Sequence, residues 1–164
     1  MITLIAAVDL YWGLGKANTI PWNNPEDTKF FKDITKDSVV IMGSRTWESL
    51  GCRPLKHRKN IVVTSKVSKY APAADTVFLG SIEEALERAK EDPTKEIFGI
   101  GGAGIYEALA PHADRVLITR ILGDFDCDVK FPLDSISHYH SVKLFKQLDV
   151  DTFVFEYLLK QNGE

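Results

Sequence analysis

The sequence predicts an α/β fold built on a mixed, mostly parallel sheet. Short apolar runs rich in Val and Ile recur along the chain, with amphipathic stretches between them. Several of these runs lack apolar–polar alternation, as expected of strands covered on both faces. Toward the C-terminus the pattern changes, because Val142–Leu148 and Thr152–Lys160 alternate around Asp149-Val150-Asp151 and read as an antiparallel hairpin. Strands interleaved with helices and closed by a hairpin argue for parallel pairing with an antiparallel end.

Ile2–Val8 opens the chain as a strand. Asn24 then supplies an N-cap, and Pro25 fits the first helical position with φ preset and no donor to lose. Val39–Met42 reads as the next strand, and Gly43 leads from it into a helix at Ser44–Leu50. Asn60–Thr64 and Thr76–Leu79 are further β-like runs. Ser81-Ile82-Glu83-Glu84 is a capping box that starts a helix ending near Lys90. The strand Glu96–Ile100 precedes a helix over Gly102–Ala110, which stops before Pro111. Arg115–Ile121 is the last strand before the hairpin. No repeat, linker or low-complexity tract divides the chain, and 164 residues suit one domain over 1–164.

Hydrophobic content of 45% and charged content of 26% are those of a globular protein in water. A net charge of −3 gives no reason to expect nucleic acid or an anionic membrane as partner. Small anions remain suitable ligands for local clusters such as Lys56-His57-Arg58-Lys59. Cys52 and Cys127 are isolated and show no metal-binding spacing, so no metal is expected. Two reduced thiols in a cytoplasmic protein are the simplest reading. The first eight residues lack a basic n-region and meet Asp9 too early for a signal peptide, and no stretch has membrane-spanning length.

Asp27 stands where an apolar residue is expected. Phe30, Phe31 and Ile34 follow it at i+3, i+4 and i+7, which is one helix face, while Glu26, Lys29 and Lys32 point away. One reading is an acid favoured by the positive end of the helix dipole. The other takes account of Ile20-Pro21-Trp22-Asn23, which brings apolar groups to the same end. A carboxylate held among aromatics loses solvation, gains proton affinity and becomes usable for proton chemistry.

Gly99-Ile100-Gly101-Gly102-Ala103-Gly104 matches G-x-G-x-x-G between a strand and a helix. Glycines admit a phosphate to the backbone, and the free N–H groups of a helix start favour an anion. The motif nevertheless lies too late in the chain for a two-half dinucleotide fold, and a tight turn without ligand is the competing reading. Two more strand ends offer hydroxyls with a cation: Ser44-Arg45-Thr46 and Thr64-Ser65-Lys66. They suit two phosphates of one nucleotide, or else a capped helix and a solvated lysine.

Taken in order, these segments resemble dihydrofolate reductase. Gly13-Leu14-Gly15 with Asn18, Pro21-Trp22-Asn23 and Pro25-x-Asp27 look like that family's mobile loop and catalytic helix. Val40-Ile41-Met42-Gly43 with Thr46-Trp47-Glu48-Ser49 resembles its cofactor-phosphate helix. Arg53-Pro54-Leu55 and Arg58-Lys59-Asn60 resemble its folate-tail segment, and Ile100-Gly101-Gly102 with Ile105-Tyr106 its nicotinamide turn. The resemblance implies an eight-stranded sheet with four flanking helices and an antiparallel C-terminal strand, a cis Gly101–Gly102 peptide, and NADPH-dependent reduction of dihydrofolate to tetrahydrofolate. Asp27 and Trp22 would be catalytic. Ile5, Ala6, Phe31, Leu50, Leu55, Ile100 and Thr119 would enclose the substrate, with Arg58 on its tail carboxylate. Ala7, Gly15, Asn18, Ile20, Gly101, Gly102 and Tyr106 would meet the nicotinamide side, and Arg45, Thr46, Thr64, Ser65 and Lys66 the phosphate and adenine side. Antifolate inhibitors, a monomeric state and a cytoplasmic location follow from the same likeness.

Departures from the family pattern are Thr28 after the acid, Cys52 as an inserted residue, Lys56-His57 in place of Pro-Gly, and Ser44 and Gly104 where cations often stand. Two rivals remain open at this level: a pyrimidine reductase of riboflavin synthesis on the same fold, and a non-catalytic nucleotide-binding module.

Overall fold

The first apolar run becomes the strand around which the others are arranged. The computed structural model describes residues 1–15 and 20–159. In chain order, β1 (Ile2–Val8) and β2 (Gly13–Gly15) precede α1 (Pro25–Thr35), β3 (Val39–Gly43) and α2 (Ser44–Ser49). Then come β4 (Lys59–Val63), β5 (Thr76–Leu79), α3 (Ile82–Ala89), β6 (Ile97–Gly99) and α4 (Ala103–Leu109). β7 (Arg115–Ile121), β8 (Val129–Lys130), β9 (Ser141–Asp149) and β10 (Thr152–Leu158) follow. Eight strands form one sheet in the order β5-β4-β3-β6-β1-β7-β10-β9. β10 runs antiparallel to β7 and β9, and the other described pairings in that sheet are parallel.

Both faces of the sheet are covered, which accounts for the missing alternation in its central strands. Ile2, Leu4, Ala6 and Val8 of β1 pack in one core with Ala85, Leu86 and Ala89 of α3 and Ile105, Tyr106 and Leu109 of α4. Ile5 faces a second core with Phe30 of α1 and Trp47 of α2. Burying a side chain such as Leu4, Val8 or Ile5 contributes about 1.5–3 kcal/mol.

The structure adds elements that the apolar pattern does not predict. β2 and β8 pair as a separate two-stranded ribbon, with Gly13 opposite Lys130. Its strands, two and three residues long, are too short for a periodic signal. The strand expected to end at Ile100 ends at Gly99, because Gly101 turns the chain at φ 115. Thr64 lies one residue beyond β4. The hairpin is present, although Lys160 lies outside the described residues.

Candidate active site

The glycine turn and the two hydroxyl-and-cation turns lie where the parallel strands end, whereas Arg58 lies at the start of β4. The Gly43 N–H, at the end of β3, donates to the Gly101 carbonyl at 2.9 Å, and the Ile100 N–H donates to the Ile41 carbonyl at 2.9 Å. The Gly101–Gly102 peptide is cis, and Gly101 lies in the left-handed region. A β-carbon on Gly101 would stand 3.1 Å from the Tyr106 hydroxyl, so a side chain there is opposed by space as well as by backbone conformation. Tyr106, in the first turn of α4, donates from that hydroxyl to the Ile5 carbonyl at 2.7 Å. Burial, and secondarily the Asp27 charge, pushes the Tyr106 pKa up, which keeps the phenol protonated as a donor. The glycine turn is thereby tied to β1 and β3 together. At Gly102 a β-carbon would enter open space.

Asp27 approaches this turn from the start of α1. The Asn24 side chain caps the helix by accepting the Asp27 N–H at 3.1 Å, as expected, and Pro25 occupies the first turn. Glu26, Lys29 and Lys32 are exposed, whereas Asp27, Phe31 and Ile34 are half-buried and Phe30 is buried. The Thr119 hydroxyl donates to the Asp27 carboxylate from β7, where Thr119 sits in register with Ala7 of β1. Burial raises the Asp27 pKa, and the Thr119 bond offsets this only in part. A surface acid served by the helix dipole alone would shift the opposite way, so burial is the stronger of the two effects proposed from the sequence. Trp22 packs on Phe125 with ring centroids 5.3 Å apart. Ile20 is exposed, Gly15 is half-buried in the ribbon, and Asn18 lies outside the described residues.

Phe31, Leu50, Leu55 and Ile100 are partly buried around the second core, to which the buried Ile5 belongs; Ala6 packs in the first. Arg58 is only 7% exposed. Its Nε donates to Thr35 Oγ1 at 2.9 Å, Nη1 to the Lys56 carbonyl at 3.0 Å and Nη2 to the Lys32 carbonyl at 3.3 Å. Its guanidinium carbon lies 5.8 Å from the Phe31 ring centroid. A guanidinium has five N–H donors, so this immobilised cation keeps donors beyond those three bonds. Arg53, by contrast, is exposed.

Gly43 of β3 is in register with Val63 of β4, so Arg45 and Thr46 leave the sheet beside Thr64, Ser65 and Lys66. Thr64 is buried and its Oγ1 accepts the Lys66 N–H at 3.1 Å, while Arg45, Ser65 and Lys66 are exposed. Two cavities of about 290 and 380 Å³ lie at the opposite edge, beside Val39, Lys59 and Thr76 in one case and Ile2, Ile97 and His112 in the other. Neither includes a predicted site residue. Among the described residues no cluster of His, Cys, Asp and Glu is arranged for a metal, and no helix is long and apolar enough to cross a membrane.

Several buried polar residues that hold the site in place were not evident from the sequence. Thr35 orients Arg58, and Asn60 clamps Leu55 through its N–H and its carbonyl, both at 3.0 Å. Asp9 accepts N–H groups from Tyr11 at 2.9 Å, Gly13 at 2.8 Å and Phe125 at 3.2 Å, which joins two loops beneath Trp22's ring partner. Burial opposes the Asp9 charge, but these bonds outweigh it and the pKa is lowered.

A family model described as dihydrofolate reductase matches residues 1–158. The dihydrofolate reductase of Bacillus subtilis (strain 168) is 42% identical over 137 residues, covering 80% of this chain and 76% of that protein. A bifunctional dihydrofolate reductase-thymidylate synthase of Daucus carota is 40% identical over 146 residues; the match spans 79% of this chain and 28% of the larger protein. The solved structure of dihydrofolate reductase from Enterococcus faecalis, complexed with NADP(H) and RAB-propyl, superposes with a TM-score of 0.78 at 30% identity, covering 96% of this chain and 93% of that one. With the glycine turn and the half-buried acid toward the ends of the parallel strands, the clamped arginine at the start of β4, and a family match over nearly the whole chain, this protein belongs to the dihydrofolate reductase family.

Proposed function

We propose that this chain reduces 7,8-dihydrofolate to 5,6,7,8-tetrahydrofolate with NADPH as reductant, C6 gaining a hydride and N5 a proton. The observation that supports this most directly is a half-buried carboxylate, Asp27, on the apolar face of α1, desolvated and within electrostatic reach of the buried Tyr106 that ties the glycine turn to β1. Asp27 would accept the pterin's amide N–H and 2-amino group and keep that end of the ring oriented while N5 is protonated. Trp22, braced by Phe125, would hold water at the same end. Ile5, Ala6, Phe31, Leu50, Leu55, Ile100 and Thr119 would enclose the substrate, and the remaining donors of Arg58 would take the tail's α-carboxylate.

The strand ends suit the cofactor. Gly102 leaves open space where a side chain would intrude, and two exposed cations stand beside hydroxyls on adjacent strand ends. Ala7, Gly15, Asn18, Ile20, Gly101, Gly102 and Tyr106 would line the nicotinamide side. Arg45, Thr46, Thr64, Ser65 and Lys66 would hold the phosphates. NADPH, when bound, supplies the hydride; the protein's own residues orient both partners and exclude water.

The same reading makes this a monomeric cytoplasmic enzyme that binds antifolate inhibitors. The test is loss of the reduced-nicotinamide absorbance band on addition of dihydrofolate. Oxidation with dihydrofolate and none with the riboflavin-pathway pyrimidine is the expected result. The reverse preference would favour the rival reductase, and inertness toward both would favour a binding module.

A further inference from the structure

The N-cap of α1 does more than satisfy one backbone donor. Asn24 Oδ1 accepts the Asp27 N–H at 3.1 Å, while its Nδ2 donates to Thr152 Oγ1 at 2.8 Å. Thr152 lies 128 residues away at the start of β10 and is fully buried. Its hydroxyl proton is committed to Asp151 Oδ1 at 2.9 Å. The Asp151 main chain is fixed as well, because its carbonyl accepts the Leu122 N–H at 2.9 Å beyond the end of β7.

The polarity of this chain of bonds runs in one direction. A carboxylate only accepts, so Asp151 draws the single Thr152 proton and leaves the hydroxyl lone pairs for Asn24. The Asn24 amide group turns its NH₂ toward these lone pairs and its oxygen toward the Asp27 N–H. The Asp27 N–H, which can only donate, and the Thr152 oxygen, whose proton is spent on Asp151, thus require the same orientation of the Asn24 carboxamide. The other side of the first turn is held by Thr119, which comes from β7, the neighbour of β10.

We propose that Thr152 and Asp151 are positioning residues for Asp27, acting through Asn24: the Asp151–Thr152–Asn24 relay anchors the first turn of α1 to the sheet and sets where the Asp27 carboxylate stands. This inference rests on the assignment of Asp27 to the substrate site. A helix start without the tie would keep its cap but could shift relative to the sheet, and the geometry at Asp27 would loosen while the phosphate side, on α2 and β4, stayed as it is.

The experiment measures affinity for a 2,4-diaminopyrimidine antifolate, which would pair with Asp27, and for NADPH, which would not. Thr152→Val removes the relay's central hydroxyl at nearly constant volume. It should weaken the antifolate about two- to tenfold, the range of one net hydrogen bond, and leave NADPH unchanged; Thr152→Ser should restore binding. In an Asp27→Asn background the same substitution should add nothing. Asn24→Ser keeps a good cap but is too short to reach Thr152, so it should reproduce the loss and carries the test if Thr152→Val does not fold. Equal weakening of both ligands, or an undiminished loss in the Asp27→Asn background, would overturn the relay. An Asp27→Asn enzyme that binds the antifolate normally would instead overturn the assignment of Asp27, and the relay with it.

Discussion

Replacing Asp27 by Asn separates the two roles that its position allows, because they predict stability changes of opposite sign. If Asp27 only complemented the helix dipole, its charge would stabilise the fold by about 0.3–1 kcal/mol, and the Asn variant would be less stable by that amount. The structure argues otherwise. Asp27 is half-buried on the face carrying Phe30 and Phe31, and burial raises its pKa despite the Thr119 hydroxyl and the N-terminal position. The folded state therefore holds the Asp27 proton more tightly than the unfolded chain does. Stability falls as pH rises from the unfolded value, about 3.9, through the folded one, by about 1.4 kcal/mol for each unit of elevation. Asn accepts the same Thr119 bond without the charge, so Asp27→Asn should gain stability at neutral pH, and the gain should vanish below about pH 4. Activity should move the other way: the hydride step at neutral pH should drop by about 10²–10⁴, and the deficit should shrink as substrate becomes protonated in solution. Denaturant unfolding and single-turnover kinetics of both proteins across pH provide the measurement. An Asn variant that is less stable at neutral pH, or equally displaced at every pH, would refute the burial argument. A near-normal hydride rate would remove Asp27 from the reaction.

Two further substitutions test the opposite ends of the site. Arg58→Leu should reduce kcat/KM for dihydrofolate by about 1.5–3 kcal/mol, the scale of a hydrogen bond to a charged group, and leave a pterin without the glutamate tail nearly unaffected; the ratio of the two substrates cancels any general loss from stranding Thr35 and the Lys32 and Lys56 carbonyls. Should Arg53→Leu show that pattern instead, the register across Cys52 is wrong. Arg45→Ala should weaken NADPH by about tenfold, the low end for a charged pair because Arg45 is exposed, and should spare NADH; equal loss for both would show that Arg45 does not meet the 2′-phosphate.

The parts of the site legible in the sequence are those whose cause is local. Asn24, Pro25 and Asp27 announce a helix start within four residues, and Gly101 stands where a positive φ and a nearby Tyr106 hydroxyl leave room for no side chain. The central strands were legible for a similar reason: burial on both faces strips polar residues from a contiguous run, as in Leu4 through Val8. The ribbon of β2 and β8 was not, because two- and three-residue strands have no period to read. Arg58 stands out only by family resemblance, whereas its partner Thr35, 23 residues earlier, looks like any polar residue at a helix end. Asp9 is 116 residues from Phe125, and Asn24 is 128 from Thr152.

Such residues are silent in sequence for a physical reason. A polar side chain is ordinarily expected in water, and only a distant donor or acceptor makes its burial tolerable. The sequence displays groups that would act on ligands because their chemistry is unusual where they stand, as an acid on an apolar helix face is. The groups that aim them are ordinary residues, and their meaning appears only when the sheet brings β7 and β10 against α1. The division has a consequence for antifolate response. Changes at Asp27 or Arg58 would disable the enzyme along with the inhibitor, whereas Thr152, Asn24 and Thr35 belong only to the hydrogen bonds that hold those residues. On this argument, variants that lose inhibitor affinity yet retain turnover should be sought first among the buried hydroxyls and amides behind the site.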